Sequence, residues 1–159
     1  MSNNTKTPLI IEGATLFFKN FQGRETDYNA EGNRNFCVVI PSKEIEQALI
    51  ANGWNVKHTK PRDEEDEPTP YIQVNVSYKL KAPKVVIIKG NTQTKLNEET
   101  IASLDWTRTT NIDVKITPSP WSFGGKSGIK GYLDSLYATI EEDELEKKYS
   151  YLNEEYDAE

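Results

Sequence analysis

The sequence predicts a mainly β fold of five to seven antiparallel strands, and three observations lead to it. Residues 71–79 and 111–117 alternate between apolar and polar side chains, as a strand does when one face of its sheet is buried. The pair Gly124-Gly125 is typical of the tight turn of a β-hairpin. Helical periodicity is confined to short stretches, so we expect a sheet with one or two short helices.

Four further segments are rich in β-branched and aromatic residues and are predicted strands. They are residues 9–21, 33–40, 84–89 and 129–140. In the last segment the apolar positions change parity between Leu133 and Leu136, which predicts a β-bulge near Asp134 and Ser135. Loops are predicted where glycine, proline and charged residues cluster, at residues 22–32, 61–70 and 118–128.

Helices are predicted at two places. Ser42 is a predicted N-cap and Gly53 a predicted end, and the apolar spacing between them is that of a helix with one buried face. A shorter helix is predicted over residues 97–104. With the first helix inserted between the second and third strands, the pattern fits an OB-like Greek-key barrel, and a β-sandwich fits it almost as well.

Charge divides the chain into a predicted domain, residues 1–140, and a C-terminal acidic helix or tail, residues 141–159. The tail has nine acidic residues and two lysines, a net charge of −7, whereas the rest of the chain has a net charge of +1. Five acids of that remainder are adjacent, at residues 63–67, so the body outside this loop has a net charge of +6. An acidic protein thus contains a basic body that can attract nucleic acid.

The acidic tail has two interpretations. It is either a solvated, highly charged helix, or an electrostatic competitor that folds back on a basic groove until nucleic acid displaces it. A tail freed in this way would recruit replication or recombination proteins as partners.

Catalysis is not expected, because the chain has a single histidine, His58, and a single cysteine, Cys37. No metal-ligand spacing such as Cys-x-x-Cys occurs, and Cys37 lies in an apolar strand where a core role is expected. The acids at residues 63–67 are expected to form a solvated loop, so neither a metal nor another cofactor is predicted. The N-terminus lacks a signal peptide and no apolar run could span a membrane, which predicts a soluble cytoplasmic protein.

Basic residues are interleaved with aromatic residues along the chain, as in proteins that bind single strands. Such proteins need cations along the phosphates and flat side chains on which bases stack. The residues predicted to stack on bases are Trp54, Tyr71, Tyr132, Phe21 and Tyr28. The residues predicted to contact phosphates are Lys19, Arg24, Arg34, Lys57, Lys60, Lys79, Lys81 and Lys130. Trp54 has a second interpretation, as a buried indole at a helix–strand junction.

Several short motifs resemble a group of phage-encoded single-stranded-DNA-binding proteins. They are residues 18–21, 33–36, 53–57, 61–67, 128–133 and 139–145. The resemblance implies an OB-like barrel, no enzymatic activity, and a role in covering exposed strands during phage replication or recombination in a bacterial host. The acidic end is similar to the tails of other single-strand binders, although it ends in Tyr156-Asp157-Ala158-Glu159 and not in the apolar Pro-Phe of the bacterial pattern.

The predicted function is therefore non-catalytic binding of single-stranded DNA with low sequence specificity. Three other functions account for less of the sequence: a protein–protein module such as a phage inhibitor of a host protein, a metal-dependent nuclease using Asp105, Asp113 and Asp134, and a virion structural protein. An inhibitor that mimics DNA would need acids gathered on its folded surface, whereas most acids here lie in one loop and the tail. The sequence leaves homo-oligomerisation open.

Overall fold

Nine strands and two short helices form the part of the chain that the computed structural model describes, residues 7–27, 29–60, 63, 65–79, 81–141 and 145. The strands are β1 (Leu9–Ile11), β2 (Leu16–Asn20), β3 (Arg34–Val39), β4 (Lys57–His58), β5 (Pro70–Val76), β6 (Lys84–Lys89), β7 (Thr92–Leu96), β8 (Asn111–Phe123) and β9 (Lys126–Ile140). Helix α1 (Lys43–Ala51) follows β3, and a 3₁₀ helix (Ile101–Asp105) precedes β8. The mainly β prediction is confirmed.

The strands form one mixed sheet with the hydrogen-bonded order β1-β8-β9-β5-β3-β2. β4 pairs with β5, and the β6–β7 hairpin joins β9 through β6. β9 runs parallel to β5 and to β6. Parallel strands need a crossover connection, and here the chain passes through β7 and β8 before it reaches β9. The prediction of five to seven antiparallel strands is therefore wrong in strand count and in the direction of two pairings.

The sheet is not closed into a barrel within the described residues, since β1 and β2, at the two ends of the strand order, share no ladder. The predicted strand over residues 9–21 is divided between them, because Gly13 turns the chain with a φ of +61°. Just beyond the turn the Ala14 N–H still donates to the Ile112 carbonyl of β8 at 2.7 Å, and from the next residue the chain pairs with β3, where the Thr15 carbonyl accepts a hydrogen bond from the Val39 N–H at 3.0 Å. The predicted closed barrel is corrected accordingly.

The core lies on one face of the sheet, where alternate residues of neighbouring strands meet. Phe36 on β3 is opposite Val74 on β5, and Val38 is opposite Ile72; all four side chains are fully buried. Burying a side chain of this size is worth roughly 1.5–3 kcal/mol relative to leaving it exposed. The intervening residues of the same strands point to the opposite face.

Helix α1 begins and ends where the sequence predicts. The Ser42 hydroxyl accepts a hydrogen bond from the Ile45 N–H at 3.2 Å, which caps the first turn. After the helix, Gly53 has a φ of +93°, a conformation that favours glycine. Its carbonyl accepts from the Ile129 N–H at 3.0 Å, so the end of the helix is tied to β9.

The predicted bulge in β9 is confirmed. Lys115 of β8 pairs with Ser135, but the next residue, Ile116, pairs with Leu133, so Asp134 is the extra residue. The bulge explains why the buried positions of β9 change parity at this point.

The β8–β9 hairpin turns at Gly124 and Gly125, with φ values of +57° and +80°, as predicted. The flanking residues 118–128 were expected to be a loop and instead extend both strands; we call this extension the hairpin arm. Pro118 and Pro120 are accommodated there because, among the described residues, β1 pairs with β8 only as far as Ile116, so no described strand pairs with this edge of the arm.

Two strands, β4 and β7, were not predicted, because one is very short and the other has almost no buried side chains. β4 has two residues, and Leu96 is the one buried side chain of β7. The predicted helix over residues 97–104 is present in part, as the 3₁₀ helix. No helix in the described part of the chain is long and apolar enough to cross a membrane.

Candidate nucleic-acid interface

The strand register gathers polar and aromatic side chains on the face of the sheet opposite the core, which we call the outer face. Directly opposite residues share a face. Tyr71 is opposite Lys57, and Asn75 is opposite Tyr132. The members of this face on β2 to β5 and on the adjoining part of β9 include Phe17, Asn35, Cys37, Val39, Lys57, Tyr71, Gln73, Asn75, Lys130 and Tyr132. The face unites two predicted stacking residues with two predicted phosphate contacts.

An aromatic cluster lies on the β2 side of the outer face. The Tyr71 and Phe17 rings meet edge to face with centroids 4.8 Å apart, and Phe17 meets Phe18 at the same distance. Phe18 is 72% exposed and has a φ of +49°, in a stretch where the pairing of β2 with β3 shifts by one residue. A positive φ is rare for a bulky residue and is often found at binding sites. Sequence reasoning missed Phe18; the adjacent pair Phe17-Phe18, which breaks strand alternation, was the available signal.

A cleft at the end of β5 brings four predicted residues together, namely Arg34, Lys79, Lys130 and Tyr132. We call it the basic cleft. Its three positive charges face one carboxylate, Glu98, whose Oε1 lies 3.4 Å from Arg34 Nη1. A concave site with an excess of positive charge attracts anions such as phosphates.

Arg34 and its neighbour Tyr78 both line this cleft with unused hydrogen-bonding capacity. The Arg34 guanidinium lies over the Tyr78 ring, 5.7 Å from its centroid. Among the described residues, neither Arg34 Nε nor the Tyr78 hydroxyl has a hydrogen-bond partner, although both atoms are buried. Burial raises the pKa of Tyr78 against the opposing effect of Arg34, so the hydroxyl keeps its proton. Both atoms lack solvent-exposed surface, so they are donors that the described fold buries without a partner, and the contacts that the cleft offers to an anion come from its exposed cations.

Phe21, which follows β2, must be corrected as a predicted stacking residue, whereas Lys19 on β2 has a structural contact in addition to its predicted one. Phe21 is fully buried, with its ring stacked on Phe36 at a centroid distance of 5.1 Å, so it has no free face for a base. Lys19 Nζ donates to the Leu104 carbonyl at 3.1 Å and so attaches the 3₁₀ helix to β2. This bond uses one of the three ammonium donors, so the contact of Lys19 with a phosphate stays a prediction.

Trp54 is also buried, at 7% exposed, and the alternative interpretation of this residue is the correct one. Its indole fills the space over Gly131, where a Cβ would lie 3.0 Å from Trp54 Cζ3. Tyr28 lies outside the described residues.

The other predicted cations lie outside the basic cleft. Arg24, Lys57 and Lys60 are exposed, and Lys57 is placed beside Tyr71 by the β4–β5 pairing. Lys81 is exposed as well, and its Nζ lies 3.3 Å from Oδ1 of the bulged Asp134. Exposed ion pairs of this kind contribute about 0–1 kcal/mol.

The hairpin arm carries two aromatic residues that are not among the predicted stacking residues. Phe123 is 84% exposed and Trp121 is 38% exposed. The Trp121 indole packs on Gly128, where a Cβ would lie 3.0 Å from its Nε1. The pairing of Trp121 with Gly128 places the indole on the same face as Lys130, two residues along β9.

A protein-family model identifies the family to which the chain belongs. The family described as "Putative phage ssDNA-binding domain" matches residues 1–158. The chain belongs to this family. It is a phage single-stranded-DNA-binding protein, as the short motifs had indicated.

Solved structures of the single-stranded DNA-binding protein from bacteriophage Enc34 are similar to this phage ssDNA-binding protein. The Enc34 protein in complex with ssDNA has a TM-score of 0.58 and 11% identity, over 86% of this chain and 88% of that chain. Its C-terminal truncation has a TM-score of 0.56 and 10% identity, over 86% and 87% of the two chains. At this identity the similarity shows a shared fold. No curated protein matches the chain.

The aspartates and the histidine considered for metal binding or catalysis make structural contacts in the described part of this phage ssDNA-binding protein. No cluster of three or more His, Cys, Asp or Glu side chains is arranged there to hold a metal ion. His58 Nε2 contacts Glu46 Oε1, which connects β4 to helix α1. Asp105, considered above as a nuclease residue, accepts hydrogen bonds from the N–H groups of Phe21 and Gln22 at 2.7 and 3.0 Å.

Cys37 lies in the outer face, opposite Phe17 on β2 and Gln73 on β5. It is 7% exposed, and burial raises its pKa to about 11, with the positive charge of Lys57 opposing the shift. The thiolate is the reactive form of cysteine, so Cys37 is unreactive at neutral pH.

We expect iodoacetamide to modify Cys37 very slowly at pH 8 in the folded protein and rapidly in urea. The pKa is raised on folding, so the unfolded chain loses the thiol proton first. The free energy of unfolding should therefore fall as pH rises from the ordinary value of 9.0 toward about 11. Mass spectrometry after timed alkylation measures the first effect, and urea titrations of the wild type and of Cys37→Ala measure the second. Rapid modification at pH 8 without urea would contradict the buried assignment.

Proposed function

We propose that this phage ssDNA-binding protein covers exposed single strands during phage replication or recombination, without catalysis and with little sequence preference. The observation that carries the proposal is that the outer face and the basic cleft meet at Lys130 and Tyr132, which belong to both. A ring for stacking and cations for phosphates lie side by side there, which is the combination that single strands require. Since every base has a ring face and every nucleotide a phosphate, such contacts accept any sequence.

The proposed strand crosses the outer face along β5. At one end Tyr71 lies beside Lys57, and at the other Tyr132 lies beside Asn75. Tyr71 and Asn75 are four residues apart on the strand, about 13 Å at the usual rise. Two stacking points with adjacent cations are therefore spaced along one direction, which supports an extended occupant.

We also propose that the sheet is an opened relative of the OB fold. β1 and β2 are consecutive in the chain, yet they pair with β8 and β3 at opposite ends of the strand order. An OB fold is a partly open Greek-key barrel that binds oligonucleotides on one face. In this proposal residues 1–140 are the binding domain and residues 141–159 are a separate tail.

The acidic tail is proposed to compete with DNA for the basic cleft and, once displaced, to recruit replication or recombination proteins in the host cytoplasm. Its net charge of −7 supports an attraction to the basic body. Apart from Glu141 and Leu145, the tail lies outside the described residues. Removing residues 141–159 should raise affinity for oligo-dT most at low salt, where the Debye length is long.

The proposal is tested by titrating the protein with oligo-dT and following tryptophan fluorescence at several salt concentrations. If four cations, Arg34, Lys57, Lys79 and Lys130, contact phosphates, the logarithm of the binding constant should fall with the logarithm of salt concentration with a slope of about −3. Double-stranded DNA of the same length serves as the control and should bind more weakly. An absence of binding at low salt, with or without the tail, would refute the proposal.

We expect Glu98→Gln to strengthen binding of oligo-dT by up to about fivefold, since the ion pair it releases is worth about 0–1 kcal/mol. Glu98 pairs with Arg34 at 3.4 Å and is the one carboxylate lining the basic cleft among the described residues. Glu99→Gln is the matched control, because it removes the same charge from the adjacent residue outside the cleft. Equal gains in the two variants would indicate a general charge effect and contradict the role of Glu98.

A further inference from the structure

A second cavity, of about 260 Å³, opens beside the basic cleft where β5 and β9 separate. The two strands pair only at Val74–Gly131 and Asn75–Tyr132. Toward its N-terminal end, β9 leaves β5, and Ile129 forms a bridge with Trp54. We call the resulting cavity the slot.

The slot has an apolar floor and a polar rim. The floor is formed by the buried residues Trp54, Ile72, Ile129 and Gly131. The rim is formed by Asn55, Gln73, Asn75, Trp121 and Lys130. An apolar base with a few placed polar groups is the usual composition of a site for a small organic group.

The rim chemistry favours a nucleobase over a phosphate. Three of its five residues carry neutral amides, and Lys130 is its one cation. The amide of Asn75 reaches the Gly131 carbonyl only at 3.4 Å, and Asn55 and Gln73 have no side-chain hydrogen bond to the described residues. Primary amides both donate and accept, as the edges of bases do, whereas a phosphate only accepts.

Trp121 supplies a ring at the rim. Its indole packs on Gly128 and is 38% exposed, so part of the ring remains free. Asn75 and Lys130 line both the slot and the basic cleft. A phosphate in the cleft is therefore adjacent to a base in the slot, as neighbouring parts of one strand are.

We propose that the slot takes one unstacked base of the bound strand, which stacks on Trp121 and is read by the amides of Gln73 and Asn55. This inference rests on the proposed function and sharpens it, because it gives an otherwise indifferent binder a base preference at one position. Amides that hydrogen-bond a base edge discriminate among bases, whereas stacking alone accepts all of them.

The test compares the full-length wild type with Gln73→Ala, Asn55→Ala and the double variant. Each is titrated with oligo-dT, oligo-dA, oligo-dC and an abasic deoxyribose-phosphate oligomer of equal length. Wild type should differ by about fivefold or more between its best and worst base-bearing oligomers. The double variant should reduce this ratio toward one and bind the abasic oligomer as the wild type does. Gln47→Ala, on the exposed side of helix α1, is the matched control and should leave the ratio unchanged.

Two results would contradict the proposal that the slot binds a base, while leaving the proposed function intact. One is a wild type that binds all three base-bearing oligomers equally. The other is an equal loss of affinity for every oligomer, including the abasic one, in the double variant. A wild type that binds none of the oligomers would instead refute the proposed function, and the inference with it.

Discussion

The double variant Tyr71→Ala/Tyr132→Ala is expected to bind oligo-dT at least about 30-fold more weakly than the wild type. Each base stacked on an aromatic ring is worth roughly 1–3 kcal/mol, and two independent stacks add to about 2–6 kcal/mol. Both residues lie on the outer face and are half-buried, so each keeps exposed surface that a base can contact. The measurement is a fluorescence titration at fixed salt, with each single variant alongside.

The salt dependence separates stacking from charge in this experiment. Neither tyrosine contacts a phosphate in the proposal, so the slope of affinity against salt should stay at the wild-type value while the affinity falls. Tyr137→Ala is the matched control, because this half-buried tyrosine of β9 lies five residues beyond Tyr132, with Lys84 Nζ 5.6 Å from its ring centroid. A loss of affinity in the control as large as in the double variant would contradict the proposed stacking sites.

The second large effect concerns stability, and we expect Phe21→Ala to lower the free energy of unfolding by about 3–5 kcal/mol. Phe21 is fully buried and stacks on Phe36, so the substitution leaves a cavity in the core. Urea unfolding followed by circular dichroism measures the loss. In buffer without urea, the fraction that remains folded should bind oligo-dT normally, since Phe21 offers no ring face to DNA.

Phe18→Ala is the matched control for this prediction. It deletes the same side chain three residues earlier, at a position that is 72% exposed. Surface substitutions usually change stability by less than about 0.5 kcal/mol, and alanine keeps the Cβ, so the cost of the positive φ at this position is unchanged. Two results would contradict the assignment of Phe21 to the core and favour a place in the interface. One is equal destabilisation by the two substitutions, and the other is a stable Phe21→Ala variant that has lost DNA binding.

Local structure was predictable wherever a short stretch of chain decides it. The N-cap at Ser42 and the turn at Gly124-Gly125 depend on a few adjacent residues, and both are found as predicted. The bulge at Asp134 was visible because a one-residue insertion reverses which side chains of a strand face the core. For the same reason, Tyr71 could be assigned to the face opposite the apolar side chains of its strand.

The misassigned site residues share a different cause. Phe21 and Trp54 occur among basic residues in the sequence, as a stacking residue would, but each packs against a partner distant in the chain, Phe36 and Gly131. The structural contact of Lys19 is equally distant, with a carbonyl 85 residues away. Burial of an aromatic ring, and the use of an ammonium group inside the fold, depend on such long-range contacts.

By itself the sequence determined a mainly β chain, its helix, its hairpin, its bulge and the concentration of acidic residues in positions 141–159, because these follow from side-chain period, turn chemistry and composition. The tertiary structure alone decided that the sheet has nine strands, that β9 runs parallel to β5, and that Arg34, Lys79, Lys130 and Tyr132 surround one cleft. The reason is that strand pairing joins residues far apart in the chain, such as Leu9 with Ile116 and Val74 with Gly131. No local pattern specifies which of several compatible strands will be neighbours.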